Sequence, residues 1–193
     1  HLPALDGCTH LLMQLETPLA TVSAYARAAR AAGVTVVLNA APAQALDDAL
    51  LALVDVLIVN EGELAQITGA NAGVRAGLER LQVPTVVVTL GARGCCARQG
   101  RQHLVQPAFA IEPVDTTGAG DTFCGTLVAG LARGAALADA LRSASAASAL
   151  ACMRAGAQSA IPDQGQVAAL LAQHNAPDAA RVHALRAYCG LPG

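Results

Sequence analysis

Short apolar runs alternate with amphipathic, alanine-rich stretches along most of the chain, and each run stops at a polar or glycine-rich residue. His10 to Leu15 is the first run. Thr17 and Pro18 follow it as an N-cap residue and a proline preset for the first helical position. They predict a helix to about Ala32, with Gly33 as its stop. Val34 to Leu38 is continuously apolar and ends at Asn39, the texture of a strand buried on both faces of a parallel sheet. Strand, helix and strand make one right-handed crossover unit.

The pattern then repeats. Asp47 to Leu53 predicts a short helix, Val54 to Val59 a strand ending in Asn60-Glu61-Gly62-Glu63, and Glu63 to Thr68 and Gly73 to Leu81 two more helices. Thr85 to Leu90 is β-branched and ends at Gly91-Ala92-Arg93-Gly94. Polar and glycine-rich strand ends therefore gather on one sheet edge, where ligands of open α/β sheets bind. Cys95 to Arg98 and Gln102 to Val105 alternate around a turn at Gln99 and Gly100, a hairpin signal, and Ala108 to Ile111 predicts a further strand. Helices are predicted from Gly120 to Ala132, from Leu137 to Met153 and, capped by Asp163, from Gln164 to Gln173. The residues from Asn175 onward carry little periodicity beyond a short helix at Ala179 to Ala187 and are expected to fray. The expectation is an α/β fold with helices packed on a mostly parallel sheet. Residues 1–175 form its domain and 176–193 a tail.

Composition narrows the setting. A chain of 193 residues favours one domain with a sizeable core. With 54% hydrophobic but only 2% aromatic residues, that core must be built from Ala, Val and Leu. A net charge of −2 without a basic run excludes an electrostatic case for nucleic acid. Cys8, Cys95, Cys96, Cys124, Cys152 and Cys189 show no CxxC spacing and read as buried free thiols of a reducing cytosol. No apolar run reaches the ~18 to 20 residues of a membrane span, and no signal-peptide order opens the sequence, so a soluble cytoplasmic protein is expected. The histidines lack metal-ligand spacing, and Arg93, Arg98 and Arg154 read as solvated charges.

The chemistry concentrates in Asp115-Thr116-Thr117-Gly118-Ala119-Gly120-Asp121. Small residues at a helix N-terminus are expected to turn the backbone amides of Gly118, Ala119 and Gly120 outward as an anion site. Asp121 beside them is either a carboxylate stabilising a first helical turn, worth ~0.3–1 kcal/mol, or a general base. An anion hole with an adjacent base is what phosphoryl transfer needs.

Asp115 to Phe123 resembles the C-terminal signature of the ribokinase-like sugar kinases, also called the phosphofructokinase B type. Asn60-Glu-Gly-Glu63 is similar to that family's Asn-x-x-Glu motif, and Thr89-Leu-Gly-Ala-Arg-Gly94 to its nucleotide-phosphate segment. Leu11 to Pro18, Leu38 to Pro42 and Arg154 to Gln158 agree in order and spacing, so the resemblance covers residues 10–172. It implies a three-layer αβα sandwich with a mostly parallel central sheet and ATP-dependent transfer of a phosphoryl group to a sugar hydroxyl. Ribose at its 5-position comes first, with another sugar or nucleoside kinase of the same fold, such as a fructokinase, as the alternative. A catalytically silent nucleotide-binding module is the reading from another class.

By this resemblance Asp121 is the base that takes the proton of the sugar hydroxyl, with Gly118, Ala119 and Gly120 stabilising the transferring group. Asn39, Asn60, Glu63, Thr89, Leu90, Gly91, Ala92, Arg93, Gly94 and Ser145 join Gly120 and Asp121 in holding the nucleotide. Glu63 carries Mg²⁺ through water, and Glu16 holds a sugar hydroxyl. Asp115 with the carbonyls of Thr117, Ala151, Arg154, Gly156 and Ala160 forms a K⁺ site, Ala160 standing where the family often has serine. The family's N-terminal sheet strands, its β lid and most of its sugar contacts have no counterpart in this sequence. Pairing into a homodimer is implied for a full-length form that has the lid.

Overall fold

The computed structural model describes residues 4–69, 73–174 and 176–192. In chain order the elements are β1 His10–Met13, α1 Leu19–Ala31, β2 Thr35–Asn39, α2 Asp48–Leu51, β3 Val56–Asn60, α3 Glu61–Thr68, α4 Val74–Arg80, β4 Thr85–Thr89, β5 Gly94–Gln99, β6 Gln102–Pro107, α5 Ala119–Ala132, α6 Leu137–Cys152, α7 Gln164–Gln173 and α8 Ala179–Tyr188. Single 3₁₀ turns occupy Gly91–Arg93 and Gln158–Ala160. The six strands form one sheet in sequence order, and β1 to β4 pair in parallel. β5 and β6 are joined by two residues, too few for a parallel crossover. The fold is thus α/β with a mostly parallel sheet.

Two compact units emerge. One takes in the chain up to Leu90, Cys96–Leu104 and Cys189–Leu191; the other takes in Gly91–Cys95, Val105–Tyr188 and the last residues. In the first, Val36, Val37, Leu38, Leu57, Val86, Val87 and Val88 are each 0% exposed, which is why β2, β3 and β4 are apolar on both faces. Asp55 pins the start of β3. Its carboxylate accepts the Val36 amide at 2.8 Å and pairs with Arg30 of α1. In the second unit α5 packs on α6 through small residues. A Cβ at Gly130 would stand 3.2 Å from the Ala140 Cβ, and Ala144 and Ala147 are fully buried. Small residues let these helices approach closely.

Four expectations need correction. Pro18 is the cap of α1 rather than its first residue: its ψ of 136° is extended, no side chain caps the helix, and the Thr21 and Val22 amides bond the Pro18 carbonyl. Ala108 to Ile111 is no strand. Phe109 is spent instead in a cluster with Ala146 and Ala149, against which Ile111, Val167, Leu170 and Leu171 pack, so its alternation serves helix packing rather than a ladder. The tail does not fray: α8 forms and Leu185 is buried. The boundary expected at Asn175 lies outside the described residues. Cys8 is exposed and Cys152 half-buried, while the other four thiols are buried; none of the six is in a disulfide.

Arg98 is also no solvated charge. Its Nε donates to Leu78 O at 2.9 Å, Nη2 to Leu81 O and Val83 O at 2.7 and 2.8 Å, and Nη1 to Gly100 O at 3.1 Å. One guanidinium thus satisfies carbonyls at the end of α4 and the entrance to β4, and burial lowers its pKa. Arg98→Met is expected to cost about 2–4 kcal/mol, because partly buried carbonyls lose their donors. Urea unfolding checks this, and Arg98→Lys, a point donor in place of a fork, should recover less than half.

Candidate functional site

Asn39 ends β2, and Asn60 and Thr89 end β3 and β4 as register partners. Each follows a buried apolar strand, so burial of the strand itself delivers a polar side chain to the C-terminal edge of the sheet. Asn60 is the N-cap of α3, and with Glu63 it forms a capping box: the Glu63 amide donates to Asn60 Oδ1 at 2.8 Å and the Asn60 amide to Glu63 Oε2 at 2.7 Å. The helix begins at Glu61, two residues earlier than expected. Glu63 is 6% exposed, and burial raises its carboxyl pKa against the opposing Asn60 amide. Its Oε1 has no hydrogen-bond partner among the described residues. Asn39 is buried with its side-chain amide likewise unpartnered among them, whereas the Thr89 hydroxyl reaches the Val59 carbonyl at 3.4 Å. Leu90 is buried after β4. Glu16 is exposed in the loop after β1.

In the second unit, Gly91, Ala92 and Arg93 form an exposed 3₁₀ turn. Gly94 closes it at φ +114°, where a Cβ would lie 2.1 Å from the Gln106 carbonyl, so only glycine fits. Ser145 is buried on α6 with its hydroxyl 3.8 Å from Cys95 Sγ.

The Asp115 to Asp121 loop is clasped to the segment after α6. Asp115 Oδ1 accepts the Thr117 amide at 2.9 Å and hydroxyl at 2.7 Å, and Oδ2 accepts the Gly156 amide at 3.0 Å. The Cys152 carbonyl, at the α6 C-terminus, takes the Val114 and Asp115 amides at 2.8 and 3.2 Å. Gly118, at φ +73°, is the N-cap of α5, and a Cβ there would meet the Ala157 Cα at 3.2 Å. Asp121 stands exposed in the first turn of α5. The amides of Gly118 and Gly120 donate to no backbone acceptor among the described residues. The Ala119 amide does donate, to the Thr116 carbonyl at 3.2 Å, which corrects the expectation of three outward amides.

Of the other K⁺-ligand candidates, the Ala151 carbonyl already accepts the Arg154 amide at 3.3 Å, Arg154 is exposed and Ala160 is buried. The sequence reading missed the Ser148 hydroxyl, which donates to the Ala119 carbonyl at 3.0 Å and ties α6 to the start of α5. No local signal marks it, since its partner is 29 residues away. It also missed Thr122, whose buried hydroxyl has no partner among the described residues.

The α/β fold is ribokinase-like, since solved ribokinase structures match it at a TM-score of 0.79. Residues 4–164 match the pfkB family of carbohydrate kinases, and the chain belongs to that family. The ribokinase of Haemophilus influenzae is 42% identical over 160 residues, which are 79% of this chain and 52% of that protein. The structure of Arabidopsis thaliana ribokinase complexed with ribose and ATP gives a TM-score of 0.79 at 32% identity, covering 84% of this chain and 55% of that one. A fructokinase double mutant of Vibrio cholerae, in its fructose-, ADP- and potassium-bound form, gives 0.75 at 27% identity, covering 88% and 62%. The chain spans about half the length of the curated relatives it matches.

The three donors to Asp115, Gly156 first, lower its pKa from 3.8 to about 2. A depressed carboxyl pKa means that the clasp contributes its full stability above pH 3.8 and loses it as pH falls through about 2. Carboxyl-carbon NMR should place the Asp115 midpoint near 2 and show Thr117→Val moving it upward; an ordinary midpoint in the wild type contradicts the clasp.

Proposed function

We propose that the chain is the nucleotide-binding and catalytic part of an ATP-dependent sugar kinase that phosphorylates ribose at its 5-hydroxyl. The observation that carries this reading is Asp121, exposed in the first turn of α5 beside the Gly118 and Gly120 amides, which donate to no backbone acceptor among the described residues. Asp121 takes the proton of the sugar hydroxyl as its oxygen bonds to the γ-phosphorus and the bond from that phosphorus to the bridging oxygen of ADP breaks. The two amides and the positive end of α5 stabilise charge on the equatorial oxygens of the transferring group. Glu16 holds a sugar hydroxyl. Ribose is favoured because relatives at 42% and 34% identity are ribokinases, and the fructokinase likeness keeps fructose as the second substrate to try.

Asn39, Asn60, Thr89 and the 89–94 segment hold nucleotide phosphates and sugar, with Ser145 near the base. Mg²⁺ bound with ATP neutralises developing phosphate charge. Among the described residues no group of three or more His, Cys, Asp or Glu could cage a metal, which fits an ion held mainly by phosphates and water. The spare Oε1 and raised pKa of Glu63 fit a carboxylate that a nearby cation would keep ionised. For K⁺, the chain offers oxygen donors only: the Asp115 carboxylate, held anionic, and backbone carbonyls at Thr117, Ala151, Arg154, Gly156 and Ala160. The ion's part is to order the loop that carries the anion hole.

Asp121→Asn is expected to lower phosphoryl transfer to ribose by a factor of about 10² or more, while Mg·ATP affinity by calorimetry stays within about twofold. Retained turnover would remove Asp121 as the base. Mg·ATP binding without any turnover in the wild-type chain, across ribose and fructose, would favour a silent nucleotide-binding module instead.

A further inference from the structure

Helix α8 lies beyond the stretch that matches the family, which ends at residue 164. It is nonetheless anchored. Asp178 Oδ1 caps it by accepting the Ala180 and Arg181 amides at 2.8 and 3.3 Å, Leu185 is 4% exposed, and Arg186 Nε returns to the Pro192 carbonyl at 2.8 Å. The helix meets the 3₁₀ turn of the 89–94 segment. The Arg93 guanidinium carbon sits 4.2 Å from the centroid of the Tyr188 ring, well inside the ~6 Å reach of a cation–π contact. Ala92, Arg93 and Pro107 on one side and Arg181, Leu185 and Tyr188 of α8 on the other line a cavity of about 300 Å³. The two surfaces leave open space between them, and the Arg93–Tyr188 stack is a specific contact across it.

That turn has reason to need a brace. Its entry is hinged by Gly91 at φ +56°, where a Cβ would meet nothing within 4 Å, while Gly94 at its exit packs against the backbone of Gln106 to Ala108. Glycine hinges leave a turn many conformations to lose when a ligand binds. On one flank the Arg93 carbonyl accepts the Ala108 amide at 3.2 Å. Tyr188 fixes the side chain on the other. Ordering the turn before the ligand arrives lowers the cost of binding.

We propose that α8 is a brace for the nucleotide turn and that Tyr188, acting through Arg93, is a positioning residue for the nucleotide. This rests on the reading of Thr89 to Gly94 as a nucleotide segment. Tyr188 is 42% exposed, so replacing it leaves the core intact.

The test combines amide hydrogen exchange at Gly91 to Gly94 with calorimetric Mg·ATP affinity, on the full chain as wild type, Tyr188→Phe and Tyr188→Leu. Leucine keeps apolar bulk and removes the π face; phenylalanine keeps the face. Tyr188→Leu should speed exchange at the turn and weaken Mg·ATP by about two- to fivefold, the cation–π contribution expressed as affinity. Tyr188→Phe, which keeps the ring face, should stay closer to the wild type than Tyr188→Leu in both readouts. Unchanged exchange in Tyr188→Leu overturns the brace. Faster exchange with unchanged Mg·ATP affinity overturns the positioning of the nucleotide. A wild-type chain that binds no Mg·ATP overturns the nucleotide reading itself, and the exchange data separate that failure from a failure of the brace.

Discussion

The Asp115 carboxylate is the contact on which the candidate catalytic loop depends. Its two oxygens take three donors from two segments that are far apart in sequence, Thr117 and Gly156. With the Cys152 carbonyl gripping the Val114 and Asp115 amides, this grip sets where the chain enters α5. Only then can Gly118 adopt its left-handed cap and press against Ala157, and only then does the first helical turn present Asp121. A carboxylate held by several donors is strongly ionised, so the same bonds that shape the loop give it a fixed negative charge. Structure and chemistry at this loop share one cause.

Burial does the corresponding work at the sheet. Because β2, β3 and β4 are covered on both faces, their interiors admit no polar side chain, and polarity collects where each strand ends, at Asn39, Asn60 and Thr89. The capping box of Asn60 and Glu63 then serves two ends. It starts α3, and it leaves the Glu63 Oε1 without a hydrogen-bond partner among the described residues. A residue pair can thus be structural and still be available to a ligand, so the helix-start reading and the binding reading of Asn60 and Glu63 are compatible.

What was legible in the sequence was local. The parallel strands show as β-branched runs of the right length, and α7 begins at Gln164 as expected because Asp163 and Gln166 form a capping box visible in four consecutive residues. The glycine-rich loop at Asp115 to Asp121 was legible for the same reason. The misses were decided by partners distant in sequence. Ala108 to Ile111 alternates like a strand, yet Phe109 is committed to Ala146 and Ala149. Arg98 looks like any surface arginine until four carbonyls converge on it. The Ala119 amide was expected to face outward, but Thr116 takes it within a tight turn whose closure the residue types do not dictate. The short α8 forms where a helix was expected, at Ala179, and its cap and the burial of Leu185 hold residues that were expected to fray.

The central claim is that this chain moves the γ-phosphoryl group of ATP onto a sugar oxygen. Phosphorus NMR of the chain with Mg·ATP, K⁺ and ribose tests it most directly. The account predicts that a sugar phosphomonoester resonance grows in step with ADP and that this resonance is absent without ribose. ATP that persists unchanged, or decays to ADP and inorganic phosphate at a rate indifferent to ribose, would contradict it.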